Sequence, residues 1–219
     1  MDQHEIQEAI DRYNKRYELY GISEKALGWG EKGRGKLRFE ILLSQWSFEG
    51  QSVLDFGCGF GDLFEYMVGT GRKCNQYTGV DINSTFIDIA QKKFKTDAQF
   101  LVQNMLEDHS GLSVDFVLSS GVFNHKLKDN IGFIEDCFEV FNTVSQKGFA
   151  VNFLSDKVDF KHDYTYHADP AEIVKLAYRY SNNIVLRNDY MPYEFTIFIN
   201  KFSKINSQFT IYDEYLNYV

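Results

Sequence analysis

Apolar residues follow two periods along the chain, one typical of helices and one typical of buried strands. Spacings of three and four residues predict helices, as with Ile6, Ile10, Tyr13 and Tyr17 near the N-terminus. Short apolar runs bounded by glycine or polar residues predict strands. Helices are predicted over 2–20, 36–46, 61–68, 84–93, 130–144 and 170–180, and strands over 52–56, 76–82, 99–102, 114–120, 148–154, 183–188 and 194–201. Strands that alternate with helices predict an α/β fold with a doubly wound, mostly parallel sheet.

The turn after the first predicted strand is rich in glycine. Residues 53–63 read Val-Leu-Asp-Phe-Gly-Cys-Gly-Phe-Gly-Asp-Leu. A strand, a glycine turn and a helix in this order form the nucleotide-binding edge of a doubly wound sheet. The spacing is G-x-G-x-G, whereas dinucleotide-binding loops have G-x-G-x-x-G. The carboxylate of Asp55 would repel a pyrophosphate and suit an ammonium group, which argues against a dinucleotide.

The pattern of Asp55, Gly57, Gly59 and Gly61 resembles motif I of the class I S-adenosylmethionine (SAM)-dependent methyltransferases. The resemblance implies a Rossmann-like seven-stranded sheet with an antiparallel last strand, an N-terminal helical cap, and SAM as cofactor with S-adenosylhomocysteine (SAH) as product. In that family the loop wraps the methionine part of SAM, so Gly57, Cys58 and Gly59 are expected to bind it. Asp55 is expected to reach the amino group, often through water. Cys58 is expected to serve as a small side chain within the loop.

Polar residues at the ends of the next two strands extend the resemblance. Asp81 ends the second strand, and it is placed to bind the ribose hydroxyls, with Ile82 packed on the adenine. A role for Asp81 as the N-cap of the next helix is the alternative, and the two roles are compatible. After the third strand, Asn104 and Met105 match the position that recognises the adenine amino group in the family. An ordinary polar loop remains open for them.

The N-terminal segment resembles the caps that cover the cofactor in class I methyltransferases and supply a cation to its carboxylate. Arg34 and Arg38 are the candidate cations, and Trp29 is a candidate wall of the site. A solvent-exposed basic turn is the alternative for Arg34.

The end of the fourth strand favours a small-molecule acceptor. Enzymes that methylate nucleobase or protein amide nitrogens often carry an Asn/Asp-Pro-Pro-aromatic tetrad there. Residues 119–122 read Ser-Ser-Gly-Val instead, with Ser120 expected to contact the cofactor. The site therefore resembles the small-molecule branch of the family.

Histidine and tyrosine residues cluster in the segments expected to form the acceptor pocket. His125 and His167 are the candidate general bases, because imidazole titrates near neutrality. A structural or surface histidine is the alternative for each, and the tyrosines could be core or rim residues. The expected acceptor pocket contains Asn124, His125, Tyr164, Tyr166, His167, Tyr190, Tyr193 and Glu194.

Composition and charge narrow the class of protein. The net charge of −8 argues against a nucleic-acid partner, which would need a basic face. Three cysteines without a C-x-x-C pair favour a reducing, cytoplasmic setting, and no apolar run is long enough to span a bilayer. We expect no metal.

The length of 219 residues predicts a single domain. We expect a helical cap over 1–48, a SAM-binding core over 50–201 and a tail over 202–219. The tail could pack on the sheet edge or on a second subunit, which leaves a homodimer open.

These observations predict a SAM-dependent methyltransferase that acts on a small polar metabolite, such as a sugar or a polysaccharide building block. One alternative is a nicotinamide-dependent oxidoreductase on a similar fold, which the glycine spacing and Asp55 oppose. A second is a SAM-binding protein without catalytic activity. A third, an enzyme that methylates RNA or protein, is disfavoured by the acidic charge balance.

Overall fold

The structure is a computed structural model that describes residues 1–29 and 34–201. The predictions for the 202–219 tail and for the Arg34 side chain lie outside the described residues. No helix in the described part of the chain combines the length and the apolar character needed to cross a membrane.

The elements predicted from periodicity are present, with small shifts at their ends. The helices are α1 (Gln3–Tyr20), α2 (Arg34–Leu42), α3 (Asp62–Gly69), α4 (Ser84–Phe94), α5 (Asn130–Val144) and α6 (Pro170–Ala177). The strands are β1 (Ser52–Phe56), β2 (Gln76–Asp81), β3 (Gln99–Val102), β4 (Val114–Ser119), β5 (Ser145–Leu154), β6 (Asn183–Arg187) and β7 (Glu194–Asn200). A single 3-10 turn, Val122–Asn124, follows β4.

Two helices start at the caps that their sequences encode. Asp2 and Glu5 form a reciprocal capping box at the start of α1. Asp169 accepts a hydrogen bond from the Ala171 N–H at 3.0 Å, and Pro170 occupies the first helical position of α6, as predicted.

Helix α2 ends four residues earlier than predicted, because Trp46 packs away from the helix. The Trp46 ring stacks on Phe116 with 4.7 Å between ring centroids. Its Nε1 donates a hydrogen bond to Asn200 Oδ1 at 2.7 Å. These contacts place Trp46 against the sheet, so the chain does not continue as a helix to this residue.

The seven strands form one sheet in the order β3-β2-β1-β4-β5-β7-β6. The first five strands are parallel, and β7 is antiparallel to both β5 and β6. This confirms the predicted seven-stranded class I methyltransferase sheet with its reversed last strand.

Each face of the sheet carries its own apolar layer. Phe138, Phe141 and Phe149 lie in the layer that α5 and α6 cover. Phe64 and Phe100 lie in the layer that α2, α3 and α4 cover. Full burial of such a side chain contributes roughly 1.5–3 kcal/mol, so the two layers together fix the helices to the sheet.

The sheet topology places the site at one edge. The order reverses between β1 and β4, so the chain leaves these two strands toward opposite faces. In such sheets a crevice opens outside the carboxyl ends of the strands at this switch point, and ligands bind there.

Candidate active site

The three glycines of the loop after β1 adopt backbone conformations that other residues rarely adopt. Gly57, Gly59 and Gly61 have φ values of +74°, +56° and +80°. The N–H groups of Gly57 and Cys58 donate to the Val80 carbonyl at 2.8 and 3.0 Å. The loop is thereby fixed to the neighbouring strand β2, with its backbone open to a ligand.

Asp81 closes the loop from the end of β2. Its Oδ2 accepts the Gly59 N–H at 3.0 Å, and its Oδ1 accepts the Asn83 N–H at 2.8 Å. Burial raises the pKa of Asp81. Asn83, and not Asp81, caps α4 by accepting the Phe86 N–H. The capping alternative for Asp81 is therefore wrong.

A cavity of about 320 Å³ lies at the carboxyl ends of the parallel strands. The residues predicted to bind the cofactor or the acceptor that line it are Gly57, Cys58, Gly59, Asp81, Ile82, Asn104, Ser120 and His125. Trp29, the predicted wall, lines it as well. The apolar residues Val122, Leu127 and Phe133 also line it, and they were not predicted, because apolar side chains in such segments are typical of the core.

Helix α1 covers the cavity with its apolar face, through Ile6, Ile10 and Tyr13. The Tyr13 ring packs edge-on against Phe86 with 6.1 Å between centroids. Gln3 Nε2 donates to Glu107 Oε1 at 2.7 Å. An aromatic contact and a polar contact thus hold α1 over the cavity, and α1 forms the cap that the resemblance implied.

Asp55 lies behind the glycine loop and does not line the cavity. It is only 2% exposed and accepts a hydrogen bond from the Tyr77 hydroxyl at 2.5 Å. Burial raises the pKa of Asp55 to about 7. Its predicted contact with the cofactor amino group, through water, stays a prediction.

Arg38 forms a buried ion pair and does not line the cavity. Its Nε donates to both carboxylate oxygens of Glu194, at 2.9 and 2.8 Å, and Nη2 bonds the same carboxylate. The guanidinium lies 5.4 Å from the Trp29 ring centroid. The structure pairs Arg38 with Glu194 because both charges are buried and need compensation, so neither side chain takes its predicted place at the site.

The loop after β3 lines the cavity at Asn104, as predicted, but not at Met105. Asn104 lines the cavity, and its Oδ1 accepts the Leu106 N–H at 3.2 Å. Met105 is fully buried in the core beneath the loop. Leu106 lines the cavity in its place, because the turn at Asn104 directs Met105 inward.

The end of β4 lines the cavity beside the glycine loop. Ser120 lines the cavity, and its buried Oγ has no hydrogen-bond partner among the described residues. The Gly121 N–H donates to Asn152 Oδ1 at 2.9 Å. Trp29 packs so closely on Gly121 that a Cβ there would lie 2.9 Å from the indole Nε1.

The two predicted bases lie in different environments. His125 lines the cavity, and its Nδ1 lies 2.8 Å from Arg12 Nη1. Burial, and then the charge of Arg12, lower the pKa of His125. His167 does not line the cavity: its Nδ1 bonds the Ser155 carbonyl at 2.8 Å and its Nε2 bonds Thr165 Oγ1 at 3.0 Å. Both ring nitrogens of His167 are engaged in holding the chain after β5, which leaves none for a substrate proton.

The predicted acceptor-binding residues support the 155–168 connection and do not line the cavity. Asn124 Oδ1 accepts the Leu154 N–H at 3.3 Å, and Tyr166 packs against the core. The Tyr193 carbonyl accepts the Ser155 N–H. Tyr164 is half exposed, under the Arg12 guanidinium. In the described structure, these residues hold the chain in place and do not contact the cavity.

The sequence is similar to a methyltransferase family model and to one protein that is named as a methyltransferase. A family model described as "Methyltransferase domain" matches residues 53–143. A protein of Mycobacterium tuberculosis named "Putative methyltransferase Rv1506c" is 33% identical over 161 residues, which cover 69% of this chain and 94% of that protein.

Solved structures with the same fold hold the same cofactor or its product. The magnesium protoporphyrin IX methyltransferase of Synechocystis PCC 6803 with bound SAM has a TM-score of 0.65 at 15% identity, covering 92% of this chain and 98% of that chain. A DhpI–SAH complex has a TM-score of 0.67 at 14% identity, covering 88% and 95%. At these identities the likeness shows the fold.

Proposed function

This chain belongs to the class I SAM-dependent methyltransferases, with SAM as its cofactor, and from that premise we propose that it methylates a small polar metabolite held between the cofactor and His125. We assign the cofactor contacts to Gly57, Cys58, Gly59, Asp81, Ile82, Asn104 and Ser120.

The observation that carries the proposal is one cavity that extends from Asp81 to His125 beneath α1. Asp81 and Asn104 lie at the ends of β2 and β3, where the fold receives a nucleoside. His125 lies beyond the end of β4, and it supplies a polar group for a second molecule. Because α1 covers this space, the acceptor is a small molecule.

SAM supplies an activated methyl group, which passes in line from its sulfonium sulfur to a nucleophile and leaves SAH. The chain aligns the two reactants, and such alignment can contribute roughly 7–11 kcal/mol to lowering the barrier. Trp29 and α1 exclude water from the site, while Asp81 holds the glycine loop in its binding geometry.

A sugar or a polysaccharide building block is our candidate acceptor. The polar ring of His125 lines the cavity together with the apolar side chains of Val122, Leu127 and Phe133, which can hold the ring of such a molecule while a hydroxyl is hydrogen-bonded. RNA is disfavoured by the net charge of −8 and by the cover that α1 places over the cavity.

A labelling experiment distinguishes the acceptor classes. Purified protein is incubated with methyl-labelled SAM and, separately, with free and nucleotide-activated sugars, total RNA, and denatured protein. We expect SAH to form and the label to enter the sugar fraction, and Asp81→Ala to reduce both at a limiting SAM concentration. Label in RNA or protein would contradict the proposal. Tight SAM binding without turnover on any fraction would favour the SAM-binding protein without catalytic activity.

A further inference from the structure

The backbone of His125 is fixed from two sides. Asn130 Nδ2 donates to the His125 carbonyl at 2.8 Å, and Asn130 Oδ1 accepts the Leu127 N–H at 2.9 Å. On the other side, His125 forms an antiparallel bridge with Thr165. The position of the ring is therefore set, and its protonation state is the property that remains to be determined.

The protonation state of the ring depends on Arg12, which extends from α1 to contact it. Its Nη1 lies 2.8 Å from His125 Nδ1. A guanidinium has only donors, so Nδ1 must present its lone pair, and the neutral ring carries its hydrogen on Nε2. The guanidinium also lies over the Tyr164 ring, 4.9 Å from the centroid, and this cation–π contact holds it in place.

Charged groups of both signs surround the ring. A protonated His125 would direct an N–H at the Arg12 guanidinium, and two like charges would meet at hydrogen-bond distance in a half-buried place. The ionisable groups near the ring are Arg12, Glu5 and Glu8 on α1, and Lys126 and Lys128 in the segment after it. The carboxylates are not bonded to the ring, so the direct contact with Arg12 favours the neutral form.

We propose that Arg12 is a positioning residue, which holds His125 as the neutral Nε2–H tautomer so that His125 donates a hydrogen bond to an oxygen of the bound acceptor other than the atom that is methylated. His125 lines the cavity while its Nδ1 faces Arg12, so Nε2 is the ring nitrogen left for a ligand. This arrangement fits an acceptor that offers an oxygen lone pair. The proposal rests on the proposed function in placing the acceptor beside His125.

Nuclear magnetic resonance of the histidine rings tests the proposal without an acceptor. The full chain, labelled with ¹⁵N and saturated with SAH, gives long-range ¹H–¹⁵N correlations, and His125→Gln identifies the signals of His125. We expect Nε2 protonated and Nδ1 unprotonated between about pH 6 and 8, with a titration midpoint below the ordinary value of about 6.5.

Variants of α1 separate the effect of the Arg12 contact from general effects of charge. Arg12→Met removes the donor and the charge, and we expect it to raise the titration midpoint of His125. Arg16→Met is the matched control, because Arg16 lies one turn further along α1 and bonds the carbonyls of Lys25 and Ala26. It should leave the midpoint unchanged. If Arg12→Met does not fold, Tyr164→Leu, which frees the guanidinium, should shift the midpoint in the same direction by less.

A proton on Nδ1 in the wild type, or an unchanged midpoint in folded Arg12→Met, would overturn the proposal. A purely structural role for Arg12 would lower the melting temperature and leave the midpoint where it was. Since the measurement uses SAH alone, a failed search for the acceptor would not change its outcome.

Discussion

The carboxylate of Asp81 accepts the backbone N–H of Gly59 at 3.0 Å, so the residue that ends β2 also closes the loop that follows β1. Its second oxygen holds the Asn83 N–H and thereby the start of α4. One side chain thus joins the two turns between which the cofactor is expected to lie.

Replacing Asp81 should weaken cofactor binding. Asp81→Ala removes hydrogen bonds that a carboxylate makes to two backbone donors, each worth about 1.5–3 kcal/mol. We expect the dissociation constant for SAM to rise by about 10- to 100-fold or more in calorimetric titration. Asp88→Ala, an exposed aspartate on α4, is the control. An Asp81→Ala protein that binds SAM within twofold of the wild type would contradict this role.

The buried carboxyl of Asp55 should make stability depend on pH. Folding raises its pKa from 3.8 to about 7, so between these values the folded protein keeps a proton that the unfolded chain releases. The free energy of unfolding contributed by Asp55 should therefore fall as the pH rises from about 4 to 7, by up to about 4 kcal/mol. Urea denaturation at several pH values measures this decrease.

The matched variant for this slope is Asp55→Asn, which keeps an acceptor for the Tyr77 hydroxyl and cannot ionise. We expect a flatter dependence on pH, with the largest gain over the wild type at pH 7 and above. Asp97→Asn, at an exposed position, should leave the slope unaltered. Parallel curves for Asp55→Asn and the wild type would show that the Asp55 carboxyl does not titrate in this way.

The glycine loop should not accept a side chain at Gly57. A Cβ there would lie 2.2 Å from Val122 Cγ2, and the φ of +74° is itself unfavourable for other residues. We expect Gly57→Ala to lower the free energy of unfolding by about 2–3 kcal/mol and to weaken SAM binding.

Two further variants identify the cause of that loss. Gly57→Ala with Val122→Ala should recover the steric part and retain the backbone part. Gly69→Ala is the control, because nothing lies within 4 Å of a Cβ at the end of α3, and it should be neutral or stabilising by up to about 1 kcal/mol. Equal effects of Gly57→Ala and Gly69→Ala would refute the crowding.

The ion pair of Arg38 and Glu194 should behave as a single unit. Removing one partner leaves a buried charge uncompensated, so Arg38→Met and Glu194→Leu should each cost about 3–5 kcal/mol in chemical denaturation. The double variant should cost much less than the sum, since both charges are then absent. If the losses of the two single variants added in the double variant, the ion pair between Arg38 and Glu194 would not contribute to stability as a unit.

The strands, the helices and the glycine turn after β1 could be predicted because their determinants are local. The apolar run of β1, the glycines after it and the Asp169-Pro170 helix start each lie within a few residues. The antiparallel last strand followed from the resemblance to the family. These features need no knowledge of which distant residues meet.

The polar partners could not be predicted, because they depend on residues far apart in the sequence. Arg38 meets Glu194 across 156 positions, and Arg12 meets His125 across 113. Periodicity shows which face of an element is buried, but it does not show which charges meet there. The prediction for Met105 depended on a single turn after β3. A shift of one residue in this turn moves a side chain from the cavity into the core.

Calorimetric titration of the full chain with SAM, SAH and NAD tests the central claim most directly. The account predicts that SAM and SAH bind and that NAD does not, because it assigns the SAM site to the G-x-G-x-G loop and to Asp81, which closes that loop. Binding of NAD without binding of SAM would contradict it.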